Sequence, residues 1–162
     1  MNLMNRRTAL KQFALLAGGM WIASSCDFRA EAPSIQLNQV KLNKSDEDLL
    51  AELVEALIPK TDSPGAKELN LHLFVMKMLD DCTSPEDQEA FLAGLKQAEK
   101  YKGKSADEIR TYLKSLPKDD VFFKILKSRC IQGYKNSEYV MKNKLIYELV
   151  PGRYNGALKI KA

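Results

Sequence analysis

The sequence predicts an all-α fold, a bundle of about five or six helices followed by an irregular C-terminal tail. Three observations predict it. Apolar residues recur at helical spacing in one stretch after another. Most of these stretches open on Ser or Asp with acidic side chains close behind, which can cap a helix and suit the positive end of its dipole. No stretch sustains the strict alternation of a half-buried strand, and no internal repeat is present.

Taken in order, residues 1–25 read as an export signal and residues 26–44 as a tether, leaving residues 45–162 for the helical domain. Arg6 and Arg7 stand together ahead of Leu10, Lys11 and an apolar run from Phe13 to Ala23. That run is shorter than the ~20 apolar residues a membrane-spanning helix needs. A basic start, a short apolar middle and small residues before a processing point make a secretory signal. The arginine pair resembles a twin-arginine signal, which exports folded proteins. Ala23-Ser24-Ser25-Cys26 resembles a lipobox, in which Cys26 is lipidated and becomes the mature N-terminus; the alternative is an ordinary signal cut near Ser25. Asp27 to Lys44 is polar and irregular, as a tether of limited structure would be.

The first helix is expected to start at Ser45, with Asp46, Glu47 and Asp48 in its first turn. Leu49, Leu50, Leu53, Val54, Leu57 and Ile58 form its apolar face, and Pro59 stops it. Pro59 to Ala66 is a loop dense in turn formers: Asp62 and Ser63 can bond nearby backbone, Pro64 fixes its φ, and Gly65 permits a left-handed turn. It either shapes an interface or merely connects. The second helix is expected over residues 66–81, apolar on most sides through Leu69, Leu73, Phe74, Val75, Met76, Met78 and Leu79. Ser84-Pro85-Glu86-Asp87 starts a third, carrying Phe91, Leu92, Leu95 and Ala98. Ser105 starts a fourth, with Ile109, Tyr112, Leu113 and Leu116 inward. Asp119 and Asp120 open a fifth, whose apolar set is Val121, Phe122, Phe123, Ile125, Leu126, Cys130 and Ile131, with Gly133 suited to its C-terminal end. Ser137-Glu138 starts a short sixth to about Ile146.

The formal net charge of +4 comes largely from Arg6, Arg7 and Lys11; beyond Cys26 the chain holds 22 basic and 21 acidic residues. That balance does not point to nucleic acid as a partner. Cys82 and Cys130 either pair in an oxidising compartment or serve as small core residues. With His72 alone and no CxxC, no zinc, haem or iron–sulfur site is expected. No dinucleotide fingerprint, phosphate loop or nucleophile elbow occurs. No catalytic residue, cofactor site or metal site is therefore assigned, and His72 reads as a surface or hydrogen-bonded structural residue. The suspicious element is the tail. Tyr134, Tyr139, Tyr147 and Tyr154 gather near the C-terminus, with Arg153 beside Tyr154, and Tyr and Arg are over-represented at the energetic centres of interfaces. Equally, those rings can cover the chain's own core.

Several stretches together resemble the gluconate 2-dehydrogenase subunit 3 family, the small subunits of membrane-associated flavin dehydrogenases. They are Arg6-Arg7-Thr8-Ala9-Leu10-Lys11, Ile58 to Ala66, Phe122 to Lys127, Gly133-Tyr134, Ser137-Glu138, and Tyr147 to Gly156 with its Val150-Pro151-Gly152-Arg153-Tyr154 core. The resemblance implies a non-catalytic subunit. Its partner would be a large FAD-containing subunit of the glucose–methanol–choline type that oxidises a sugar or sugar acid, with a cytochrome c as a further candidate partner. It implies that the small subunit carries the export signal for both chains. It also implies that Pro59, Thr61, Asp62, Pro64, Gly65, Tyr134, Tyr147, Pro151, Gly152, Arg153 and Tyr154 face the partner. The expected location is the periplasm, with Cys26 as a membrane anchor. The competing readings are a stand-alone envelope lipoprotein acting as a binding or scaffold module, and an enzyme using His72 or the Tyr-rich tail.

Overall fold

The computed structural model describes residues 32–145. Within them lie six helices: α1 Lys44–Leu57, α2 Leu71–Cys82, α3 Pro85–Ala98, α4 Ala106–Ser115, α5 Val121–Lys135 and α6 Glu138–Asn143, with a 3-10 turn Glu99–Tyr101 after α3. No strand occurs among the described residues, so the fold is the all-α bundle expected.

The capping residues mark most helix starts. Ser84 accepts from the Asp87 N–H, and Pro85 occupies the first helical position of α3. Ser105 and Glu108 form a reciprocal capping box at α4, Asp120 caps α5, and Ser137 caps α6. At α1 the expected cap moves. Asn43, not Ser45, forms the capping box with Asp46, because the helix begins one residue earlier, at Lys44. Ser45 is left on the surface, where its hydroxyl accepts from Lys102 Nζ at 2.6 Å.

The start of α2 differs more. Residues 66–70, expected as its first turn, make a separate turn. Asn70 sits in the left-handed region at φ 53°. Its N–H bonds the Lys67 carbonyl, and the Leu71 N–H reaches back to the Ala66 carbonyl at 2.9 Å. This pair of bonds is a Schellman stop, and Asn is the residue other than Gly that tolerates it. At the other end of α2, Gln88 Nε2 donates to the carbonyls of Leu79, Asp80 and Thr83. A side chain from α3 thus satisfies carbonyls that the helix end leaves open.

Packing centres on α1 and α5. α5 lies against α2 and α3, while α1 lies against α2, α4 and α5. Leu50, Leu53 and Val54 of α1, Val75, Met76 and Leu79 of α2, Phe91 of α3 and Leu126 of α5 are fully enclosed. Phe91 and Phe122 meet with ring centroids 5.0 Å apart. Gly133, expected near the helix end, lies inside α5, and a Cβ there would come within 2.8 Å of Phe74. Its role is close approach of α5 to α2, and Asn136 follows as the C-cap. Gly94 does the same for α3 against Phe122. Ile131, expected in the apolar set facing inward, is 44 % exposed.

The two cysteines do not pair. Both are free: Cys130 is fully buried in α5, and Cys82 is exposed at the end of α2. Burial pushes the Cys130 thiol up to about 12, so it behaves as a small apolar side chain.

The tether reading also needs correction where the structure describes it. Val40 and Leu42 are buried, and Ile35 and Leu37 pack against the core. Two buried carboxylates hold this strap. Asp80 of α2 accepts from the backbone N–H groups of Asn38, Gln39 and Val40 at 2.9, 2.7 and 2.9 Å. Glu47 of α1, expected as a first-turn acid matched to the helix dipole, is 2 % exposed and accepts from the N–H and hydroxyl of Ser34.

Burial by itself raises a carboxyl pKa, but here the hydrogen bonds outweigh it. Lys44 and Ser34 hold Glu47 down at about 2, and the three strap amides with Lys77 hold Asp80 at about 2. Both values lie below the ordinary 4.5 and 3.8. A depressed folded-state pKa contributes stability that is fully present above the ordinary value and lost as pH falls through the folded one. Denaturant unfolding should therefore show stability falling between about pH 5 and pH 2, with a smaller fall in D80N and a still smaller one in D80N/E47Q. At neutral pH, D80N should cost about 2–4 kcal/mol, because its amide group turns donors towards the strap's N–H groups. In a separate thermal melt, G94A should lower stability by about 1–3 kcal/mol through the Phe122 contact.

Candidate partner-binding site

The loop between α1 and α2 is built from its own backbone outward. The Ala66 N–H bonds the Ile58 carbonyl at 2.9 Å, closing the loop at its base, and the Thr61 N–H bonds the Ser63 carbonyl at 3.0 Å near its tip. Glu55, in the last turn of α1, fixes the rest. Its Oε1 accepts from the Lys60 N–H at 3.1 Å and its Oε2 from the Lys67 N–H at 2.8 Å. One carboxylate therefore grips the loop at both ends. Gly65 is buried against that grip, and a Cβ there would lie 2.5 Å from Glu55 Oε1 and 2.8 Å from the Lys60 nitrogen. Gly65 is needed here for close approach and not for a left-handed turn; its φ is ordinary.

The loop tip presents Pro59, Lys60, Thr61 and Asp62 to solvent, with Ser63 and Pro64 half-buried. Its hydroxyls form a short chain. Thr61 Oγ1 donates to Asp62 Oδ1 at 3.0 Å and lies 3.3 Å from Ser63 Oγ, which accepts from Tyr134 Oη at 3.3 Å. The structure thus joins two separately predicted groups, the Pro59–Gly65 loop and Tyr134 of α5, across 71 positions of sequence. Tyr147, Pro151, Gly152, Arg153 and Tyr154 lie outside the described residues, as do Arg6, Arg7 and Cys26.

Glu55 was not among the residues singled out from the sequence. A signal for it exists: an acid in the last turn of a helix sits at the unfavourable end of the dipole, where basic residues are the rule. Such a placement points to a local partner, here two loop amides.

His72 also differs from expectation. It is 8 % exposed, and its Nδ1 has no hydrogen-bond partner. Burial lowers its pKa, with the Glu47 charge acting in the opposite direction. It is an enclosed ring in the first turn of α2, without a nucleophile or carboxylate hydrogen-bonded to it. An open cleft of ≈ 410 Å³ between Tyr101 and α4 is lined by Asp107, Glu108, Thr111, Tyr112 and Ser115. Its carboxylates are already engaged, Glu108 in the α4 capping box and Asp107 with Arg110 at 2.9 Å. Tyr112 stacks on Tyr101 with centroids 4.1 Å apart and keeps its hydroxyl enclosed. The cleft therefore offers an aromatic wall and no converging reactive groups.

The family model described as gluconate 2-dehydrogenase subunit 3 matches residues 44–108. Over those residues, the first half of the helical domain, the chain is similar to that family. The matched stretch runs from the start of α1 into the first turn of α4 and contains the whole Glu55-gripped loop. No curated protein and no solved structure matches the chain. The loop is the part of the candidate interface that lies inside the matched residues and has its geometry described.

Substitution separates the grip from the tip. G65A and E55A should each destabilise the domain by about 1–3 kcal/mol in chemical denaturation, through overpacking and through two orphaned amides respectively. T61A, at the exposed tip, should stay within about 0.5 kcal/mol of the parent.

Proposed function

We propose that the protein is the non-catalytic small subunit of an FAD-dependent sugar or sugar-acid dehydrogenase complex of the bacterial periplasm. It escorts the folded catalytic subunit through twin-arginine export, stabilises it, and anchors it to the membrane. The match of residues 44–108 to the subunit 3 family carries this reading. The name of that family describes a subunit of a dehydrogenase, which implies a larger assembly.

The geometry supports a binding role in two ways. The Pro59–Gly65 loop is held rigid by Glu55 and Tyr134 while its tip stays exposed. A surface ordered before binding loses less entropy on association. The two carboxylates of the ≈ 410 Å³ cleft are engaged in helix capping and ion pairing, which favours placing the chemistry, and the FAD, in the partner chain. At the N-terminus, Arg6 and Arg7 would address the complex to a pathway for folded cargo, the requirement when a flavin is inserted before export. Cys26, once lipidated, would hold the complex at the membrane, and the strap from Ser34 to Leu42 would join that anchor to the bundle.

A mild-detergent pull-down of the tagged chain from its own host tests the reading. The expected eluate contains a second, larger chain and shows flavin absorbance. R6K/R7K should leave both chains in the cytoplasm, and C26S should release the exported complex from the membrane fraction. A colourless single-chain eluate across several mild conditions would overturn the proposal in favour of a stand-alone lipoprotein.

A further inference from the structure

Charge is unevenly placed along the folded chain. Residues 44–99 hold thirteen acids and five lysines, whereas residues 121–145 hold six basic residues and one acid, Glu138. The basic excess is organised on α5. Lys124, Lys127, Ser128, Ile131 and Lys135 fall at i, i+3, i+4, i+7 and i+11, one stripe of the helix, and all five are exposed. Lys124 meets Asp119 at 3.3 Å. Lys127 and Lys135 have no acidic partner among the described residues. In the middle of the lysines stands Ile131, 44 % exposed, one of two large apolar side chains so exposed among the described residues. The other is Leu145, at 54 %, directly after Lys144. The stripe lies on the outside of a helix whose opposite face is locked into the core by Phe122, Leu126 and Cys130.

We propose that this α5 stripe is a membrane-contact surface that takes anionic phospholipid headgroups, with Ile131 entering the interface between them. The composition favours lipid over protein. Lysine is depleted in protein–protein interfaces, where Tyr, Trp and Arg carry the energy. Lysines around an exposed aliphatic side chain are the pattern of a helix lying on an anionic bilayer. The acid-rich α1–α3 region supplies the opposite sign, so the same field that attracts α5 turns the rest of the bundle away from the surface. This contact would act without lipidation of Cys26 and without a dehydrogenase partner, so it stands or falls separately from the proposed function.

The test uses the full chain carrying C26S and C82S, with an environment-sensitive fluorophore attached at I131C, or at T111C on α4 as a control. Vesicles are of phosphatidylcholine alone, or of phosphatidylcholine with one quarter phosphatidylglycerol. The expected result is a blue shift and brightening at position 131 with the anionic vesicles alone. It should be reversed by high salt and absent at position 111. K127E/K135E should weaken the apparent vesicle affinity read at position 131 by about tenfold or more. An equal response at both positions, a response to neutral vesicles, or none at position 131 would overturn the proposal. So would a position-131 label that ignores vesicles but responds to the co-purified larger chain, which would make the stripe a protein contact.

Discussion

A carboxylate can leave water only if protein donors replace the hydration it gives up, and Asp80 is where this fold meets that demand. It lies near the C-terminal end of α2, where the helix dipole disfavours negative charge, and it is fully buried. Three consecutive amides of the strap satisfy it, with Lys77 at 3.6 Å. The dependence runs both ways. Without the carboxylate, the amides of residues 38–40 have no helix or strand to bond to. Without the strap, an unpaired charge would sit against the core. Val40 and Leu42 are carried into the core by this exchange, and Gln88 closes the neighbouring end of α2 by donating to the carbonyls of Leu79 and Asp80 and to that of the C-cap Thr83. The segment that leads into α1, from Ser34 to Leu42, is therefore continuous with the core.

Glu55 applies the same physics on a smaller scale at the surface. It too stands at the acid-disfavoured end of a helix, and it too is satisfied by backbone amides, those of Lys60 and Lys67. The result is a rigid loop with an exposed tip, supported from behind by Tyr134 through Ser63. Rigidity and exposure together suit a docking element better than a passive connection, because the ordering entropy has already been lost on folding. The lysine stripe of α5 offers a different chemistry, point charges around one aliphatic side chain. The loop and the stripe are thus suited to different partners.

The sequence determined by itself what is local. Helical periodicity, the capping residues Ser84, Ser105, Asp120 and Ser137, and the stop at Pro59 depend on residues within a turn or two of one another. They place the helices and most of the core without reference to any tertiary contact, and the loop and Tyr134 are marked by composition. What only the tertiary structure decided depends on contacts far apart in sequence. Asp80 and Asn38 are 42 positions apart, and Ser63 and Tyr134 are 71 apart. The burial of Glu47 and His72, the free state of Cys82 and Cys130, the close approach required of Gly133, and the outward position of Ile131 are all set by which helix faces which. A periodic pattern names an apolar face, but it does not say how far the neighbouring helix covers it. A lone acid or histidine has no periodicity at all, so its role follows only from the partners that folding brings to it.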